Sequence, residues 1–400
     1  MARRISAAVL CTAVLICVPA TAASAGWRHR IDRAVKSHPI GVSVRFGGRL
    51  TYHHADKQRR APASNEKLLM SMALMDRLGP RYRVKTIAAA RATRGTVAGD
   101  LWLLGRGDPT VTGGGKYARH FTFEPTRLGP LARRIKQAGV RRINGSVMGS
   151  TGYFERDWFA QGWKATFPAE EVAMPTALSF DGNESGDRHV VDGELRAARS
   201  LTQKLRSIGV RVQGSPGTGP APGGLPRLTS VASEPIVKPM TYMNRQSSNF
   251  FAEVFGKRLG AERYGVPGSI DKGARAIASW TRAHGVRIIA YDSSGLSYDD
   301  RVSPRGMAHL LQDVERETWW PALRSTLPSG NQGTLEDRLR GVKLRAKTGT
   351  LDNISALSGW VWLDRMDTWG AFSILSGGMT KTTASEIEDR IVRILASSAH

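Results

Sequence analysis

Three short motifs in this chain have residue types and spacings suited to nucleophilic catalysis at a serine: Ser64-Asn65-Glu66-Lys67, Ser247-Ser248-Asn249 and Lys347-Thr348-Gly349, in that order. At the start of a helix, residues three apart share a face, so the Lys67 amine can reach the Ser64 hydroxyl. A serine hydroxyl is a weak nucleophile and needs an adjacent base. A lysine serves only when neutral, a state that burial or a neighbouring cation favours, and Lys347 can supply that second positive charge. Backbone N–H groups at a helix start also suit an oxyanion forming at Ser64.

Taken singly, the motifs are weak. Composition alone supplies about one Ser-x-x-Lys per chain of this length, and a second copy stands at Ser269-Ile270-Asp271-Lys272, where a helix N-cap and first turn explain it. Ser329-Gly330-Asn331 repeats the second pattern in a loop, whereas Lys-Thr-Gly occurs once. Order and context carry the weight: the first motif opens a helix, the second precedes the helical stretch Phe250 to Leu259, and the third leads into a strand. Other hydrolytic or nucleotide signatures are missing: there is no Gly-x-Ser-x-Gly elbow, no His-Glu-x-x-His pair and no phosphate-binding loop. The nine histidines show no metal spacing, so the reading needs neither a metal nor a cofactor.

The elements that must position these residues can be read along the chain. Trp27 to Lys36 suits a short helix, and Gly41 to Phe46 with Arg49 to Tyr52 a hairpin around Gly47-Gly48. From Ser64 the apolar set Leu68, Leu69, Met72, Met75 and Leu78 has helical spacing and stops at Gly79-Pro80. A second region, about 84–228, shows strand-like Gly99 to Leu104, a helix over Thr126 to Ala138, a strand near Ile143 to Gly149 and a helix over Leu195 to Ile208. Gly214 to Pro226 is Gly- and Pro-rich, which marks a loop and a domain boundary near it. The last part begins with Tyr242 to Leu259 and continues through a helix around Asp271 to His284. The chain then gives alternating strands over Ser355 to Leu363 and Trp369 to Leu375, and a closing amphipathic helix over Ser385 to Leu395. Strands from both ends of the chain with helices between them predict an α+β domain, residues 26–83 and 229–400, interrupted by the middle region.

Residues 1–25 read as a secretory signal: Arg3 and Arg4, a fourteen-residue apolar run from Ile5 to Val18, and Ala23-Ser24-Ala25 before Gly26. The run is shorter than the roughly twenty residues that a membrane-spanning helix needs, and an uncleaved anchor is the alternative. Both cysteines, Cys11 and Cys17, fall inside this segment. The formal charge of +24 predicts attraction to polyanions. With export, the expected partner is an anionic wall polymer or membrane surface. Nucleic acid is not expected, since no zinc-finger spacing, aromatic RNA-binding signature or basic zipper helix is present.

The motifs and their surroundings resemble the low-molecular-mass class C penicillin-binding proteins, D-alanyl-D-alanine carboxypeptidases and endopeptidases among the penicillin-recognising serine hydrolases. Pro62 to Leu69, Gly99-Asp-Leu-Trp-Leu-Leu-Gly-Arg-Gly-Asp-Pro-Thr110, Met243 to Asn249 with Ala252-Glu253, Asp292-Ser-Ser-Gly-Leu-Ser297, Gly333-Thr-Leu335 and Arg345 to Thr350 all look like that family's segments. The resemblance implies a transpeptidase-like domain, an antiparallel sheet flanked by helices, with a smaller α/β domain inserted between the first and second motifs. It implies that Ser64 is acylated by the penultimate D-alanine of a peptidoglycan stem peptide while Lys67 takes the hydroxyl proton. Ser247 would relay a proton to the leaving group, Asn249 hold the substrate amide and Lys347 set the local field. Within Lys347-Thr348-Gly349-Thr350, Thr348 and Thr350 would bind the terminal carboxylate alongside Gly349, and the backbone N–H groups of Ser64 and Thr350 would form the oxyanion hole. β-Lactams should acylate the same serine and leave slowly.

Three departures stand out. Ser64 and Ser247 are 183 positions apart, shorter than the family's usual insert, so the outer inserted sub-domain is expected to be reduced or absent after Asp181-Gly-Asn183. The acid usual after the glycine is missing at Gly149-Ser150-Thr151-Gly152-Tyr153-Phe154, which leaves the preferred diamino acid open. Ser248 replaces the usual aspartate of the second motif. A β-lactamase, or a non-catalytic β-lactam- or wall-binding protein, is the alternative reading.

Overall fold

The computed structural model describes residues 21–186 and 188–399. Most of the predicted signal, residues 1–20 with both cysteines, lies outside them. The first described element is a helix, Thr21–Val35, which starts earlier than the expected Trp27. Trp27, Ile31 and Val35 are one turn apart and buried, so this stripe fixes the helix on the sheet beneath it.

That sheet has five antiparallel strands in the order Leu344–Leu351, Ile354–Leu363, Thr368–Gly377, Ile40–Phe46, Arg49–His54. Its centre joins the two ends of the chain: Val44 pairs with Phe372 and Val42 with Ile374. Helices cover both faces. The terminal helices Thr21–Val35 and Lys381–Ser398 bury Trp27, Ile31, Ile391 and Leu395 against Leu357 and Ile374. On the other face, helix Glu66–Leu78 packs with Asn249–Tyr264 and Pro304–Asp313 around Met72, Phe251, Leu310 and Trp360. Residues Glu66 to Met75 are all buried, so the expected apolar helix is enclosed on every side. This is the α+β architecture expected, an antiparallel sheet flanked by helices.

Residues 85–232 build a two-stranded hairpin, Glu184–Ser185 with Arg188–His189, and two larger sheets. One runs Gly217–Gly219, Val147–Ser150, Leu101–Leu104, Lys85–Ala89, Arg227–Ala232; the other has four two-residue strands. Helices Leu128–Gln137 and Gly193–Ser207 close a separate core with Leu131, Ile135, Leu201 and Leu205. Three local readings are corrected. The strand expected near Ile143 to Gly149 is two strands in different sheets, Arg142–Ile143 and Val147–Ser150, because Gly145 is held against the Gly99 carbonyl between them. The Gly/Pro-rich stretch contains a strand, Gly217–Gly219, paired parallel to Met148 through Ser150. A boundary at 228 would cut strand Arg227–Ala232, which pairs with Lys85–Ala89. Backbone hydrogen bonds to a formed sheet edge outweigh the loop preference of such short runs.

Candidate active site

Ser64 lies in a single turn of 3-10 helix, Ala63–Asn65, which runs directly into the α-helix at Glu66. The turn is strained at its entry: Ala63 is fully buried with a φ of 46°, a left-handed conformation costing about 1–3 kcal/mol for a non-glycine residue. Ser247 shares the same conformation, φ 57° and ψ 35°, where helix Val237–Gln246 ends. Ser248 then caps the next helix by accepting the Phe251 N–H. This is the role open to the serine that replaces an aspartate, since both types cap helices well. The decoy Ser269 also caps a helix, accepting the Lys272 N–H at 3.1 Å.

The three motifs meet at one cleft of about 750 Å³. Lys67 Nζ is 2.9 Å from Ser64 Oγ, 2.8 Å from Asn249 Oδ1 and 2.6 Å from the Ser294 carbonyl. Lys347 Nζ donates to Ser247 Oγ and to the Thr348 carbonyl, both at 2.8 Å. Thr348 donates to Thr334 at 2.7 Å, and Thr348, Gly349 and Thr350 line the cleft. Gly349 is needed for the close approach: a Cβ there would sit 2.7 Å from the Pro62 carbonyl and 3.1 Å from Ala63 Cβ.

The geometry at Lys67 has a direct chemical meaning. An ammonium fills all three contacts with its three N–H bonds. In the neutral amine, Asn249 Oδ1 and the Ser294 carbonyl accept the two remaining N–H bonds, so the lone pair faces the Ser64 hydroxyl. Asn249 is fixed in this orientation because its Nδ2 donates to the Glu171 carbonyl at 3.1 Å. Burial lowers the Lys67 pKa to about 8, although the negative charges of Asp292, Glu253, Glu171 and Glu66 favour the ammonium. Burial also holds Lys347 well below its usual range, assisted by the charges of Lys67 and Lys381. Of the two causes the sequence allows, burial or a neighbouring cation, burial is the main one at both amines.

Behind Lys67 lies a group of buried carboxyls to which the sequence assigns no role, although three of them fall in the quoted segments: Glu66, Glu253, Asp292 and Asp300. Asp292 accepts the N–H groups of Gly295 and Ser297 and the Trp163 indole N–H at 2.7, 2.8 and 2.7 Å. Thus Asp292-Ser-Ser-Gly-Leu-Ser297 is a loop folded around its own first carboxylate. Further lining residues also escaped sequence reading. Lys164 is paired with Asp352 and lies near the Phe167 and Tyr298 rings, joining segment 164–171 to the end of the edge strand. Glu170 and Glu171 line that side, and Arg338 and Lys381 line the end near Thr348. The segment Gly149 to Phe154 contributes nothing to this lining.

With this geometry in place, comparison with known proteins is decisive. The chain matches the D-Ala-D-Ala carboxypeptidase 3 (S13) family over residues 32–185 and 182–398. It belongs to that family. A carboxypeptidase of Mycobacterium tuberculosis is 28% identical over 357 residues, covering 82% of this chain and 74% of that protein. A D-alanyl-D-alanine carboxypeptidase of an Actinomadura species is 25% identical over 465 residues, covering 92% and 83% respectively. Penicillin binding protein 4 of Haemophilus influenzae has the same fold, with a TM-score of 0.77 at 19% identity, over 92% of this chain and 99% of that one.

Proposed function

We propose that this S13-family protein is a serine-type D-Ala-D-Ala carboxypeptidase that acts on peptidoglycan stem peptides through a Ser64 acyl-enzyme. The contact set of Lys67, which leaves a neutral amine one lone pair and aims it at Ser64, carries the reading. Lys67 takes the Ser64 proton as Oγ bonds to the penultimate D-alanine carbonyl carbon. The C–N bond to the terminal D-alanine then breaks, and the amine leaves with a proton relayed through Ser247, whose Oγ is held by Lys347. Water releases the acyl group by the same base. Backbone N–H groups of Ser64 and Thr350 would stabilise the oxyanion, Asn249 would hold the substrate amide, and Thr348 with Thr350 would bind the terminal carboxylate. β-Lactams acylate the same serine, and endopeptidase action on cross-links uses the same cleft.

We also propose that the middle region, extended to residue 232 so as to keep strand Arg227–Ala232 whole, forms an inserted domain without an outer sub-domain. Its separate core supports this, as does the small hairpin Glu184–Ser185/Arg188–His189 that follows Asn183. The family's substrate and the net positive charge support action outside the cytoplasm, against the anionic cell wall. Among the described residues, no helix is long and apolar enough to cross a membrane.

The test is D-alanine release from a pentapeptide ending in D-Ala-D-Ala by the wild type and by Ser64→Ala. Release by the wild type alone is expected. Equal release by both, or by neither on any stem peptide or wall fragment, overturns the reading.

A further inference from the structure

Lys67 can serve as a base only if its lone pair points at Ser64, and two carboxylates control that direction. The 294–295 peptide unit carries the Ser294 carbonyl, which accepts from Lys67 Nζ at 2.6 Å. On its opposite edge, the Gly295 N–H donates to Asp292 Oδ1 at 2.7 Å. Because a trans peptide is planar, gripping the N–H aims the carbonyl. The preceding peptide units are held by Glu253 Oε1, which accepts the Ser293 and Ser294 N–H groups at 3.0 and 2.8 Å. Glu253 is one helical turn after Asn249, so a single helix face supplies one direct contact to Lys67 and one support for the other.

The same carboxyls form an electrostatic unit. Among the described residues, Glu66 is buried with no hydrogen-bond partner for either carboxyl oxygen, and Glu253 Oε2 likewise has none. Lys67 is faced by Glu66 on its own helix, by Glu253, by Asp292, by Glu171 from the cleft wall and by Lys347 from the edge strand. Glu253 is faced by Asp292 and Glu66, and by Lys257 on its own helix; Asp300 adjoins Asp292 and Glu66. Carboxyls packed this closely do not all ionise together. Burial, then the Asp292 charge, pushes Glu253 up to about 8, and burial first also holds Glu66 and Asp300 well above the usual carboxylate range.

We propose that Glu253 and Asp292 are positioning residues for Lys67. They aim the Ser294 carbonyl that directs the Lys67 lone pair, and they lie among the charged groups that act on that amine. The inference rests on the reading of Lys67 as the base for Ser64.

The test measures the second-order rate of Ser64 acylation by a fluorescent penicillin from pH 5 to 10, with thermal unfolding of each protein in parallel. Glu253→Gln keeps an acceptor oxygen for the two N–H groups but removes the negative charge that Glu253 gains as the pH rises through about 8, the range in which Lys67 loses its proton. The midpoint of its rising limb is expected to move to lower pH by about one unit. Glu253→Ala loses the acceptor as well, and its rate is expected to fall about tenfold or more at every pH; if that variant does not fold, the Gln profile decides. A folded Glu253→Gln protein whose profile superimposes on the wild type, or an Ala variant that acylates at the wild-type rate, overturns the inference and leaves the function standing. A wild type not acylated at any pH overturns both.

Discussion

The side-chain amide of Asn65 donates to the backbone carbonyl of Lys347 at 3.0 Å, across 282 positions of sequence. The turn that carries Ser64, the proposed nucleophile, is thereby fastened to the strand that carries the third motif. The bond is fully buried, and among the described residues Asn65 Oδ1 has no hydrogen-bond partner, so this contact accounts for an asparagine at that place.

Asn65→Ala is therefore expected to lower stability by about 1–2 kcal/mol, the range for a lost buried hydrogen bond and the carbonyl left behind. It should also slow penicillin acylation, because Ser64 and Lys347 are no longer held in register. Urea unfolding and acylation kinetics measure the two effects. An unchanged acylation rate would show the fastening to be irrelevant to the cleft.

Acylation should rise with pH. Burial lowers the Lys67 pKa from its usual 10.5 to about 8, and the neutral form is the proposed base. Below that value protonation removes it, with about a tenfold loss of rate per pH unit. The stability term has the same sign: between 8 and 10.5 the unfolded lysine binds a proton that the folded one does not, so this contribution increases with pH. Lys67→Arg, always protonated, should lose about a hundredfold or more of the acylation rate at every pH.

Gly295→Ala should damage the site through its backbone. Gly295 has φ 78°, and an added Cβ would lie 1.9 Å from the Ala63 carbonyl oxygen. The left-handed backbone and the overlap together predict a loss of about 2–4 kcal/mol, with displacement of the Ser64 turn. Thermal unfolding and penicillin labelling check this. A fully stable, fully labelled variant would contradict the packing described.

Arg338 donates to Glu388 at 2.8 Å and to Asp389 at 2.7 Å. Glu388 is fully buried and also accepts from Ser355 at 2.7 Å. Arg338→Met leaves that carboxylate uncompensated and is expected to destabilise the protein by about 3 kcal/mol. The double variant Arg338→Met/Glu388→Gln should recover much of the loss in denaturant melts. No recovery would mean that the arginine stabilises through packing alone.

Much of the site was legible because its chemistry depends on local spacing. Ser64 and Lys67 are three apart on one turn, and the strand that begins at Leu344 holds Lys347, Thr348 and Thr350 in sequence. The paired strands Ile354–Leu363 and Thr368–Gly377 were equally clear from their alternation. What stayed hidden depends on contacts between distant segments. Nothing near Glu253 marks it as facing the Asp292 loop, and no local pattern requires the left-handed turn at Ser247. Trp163 had a weak signal, since a buried indole N–H needs an acceptor, but only the fold identifies that acceptor as Asp292.

The pairing of Ile40–Phe46 with Thr368–Gly377 dictates when activity can arise during synthesis. A nascent chain carries its nucleophile early, yet the strand before that nucleophile has its inner edge open until the final strands emerge. Contacts this distant are slow to form, since loop closure must precede their reward. Hydrolytic competence is thus expected to come last, and a chain stopped before residue 368 would expose an apolar strand edge and aggregate.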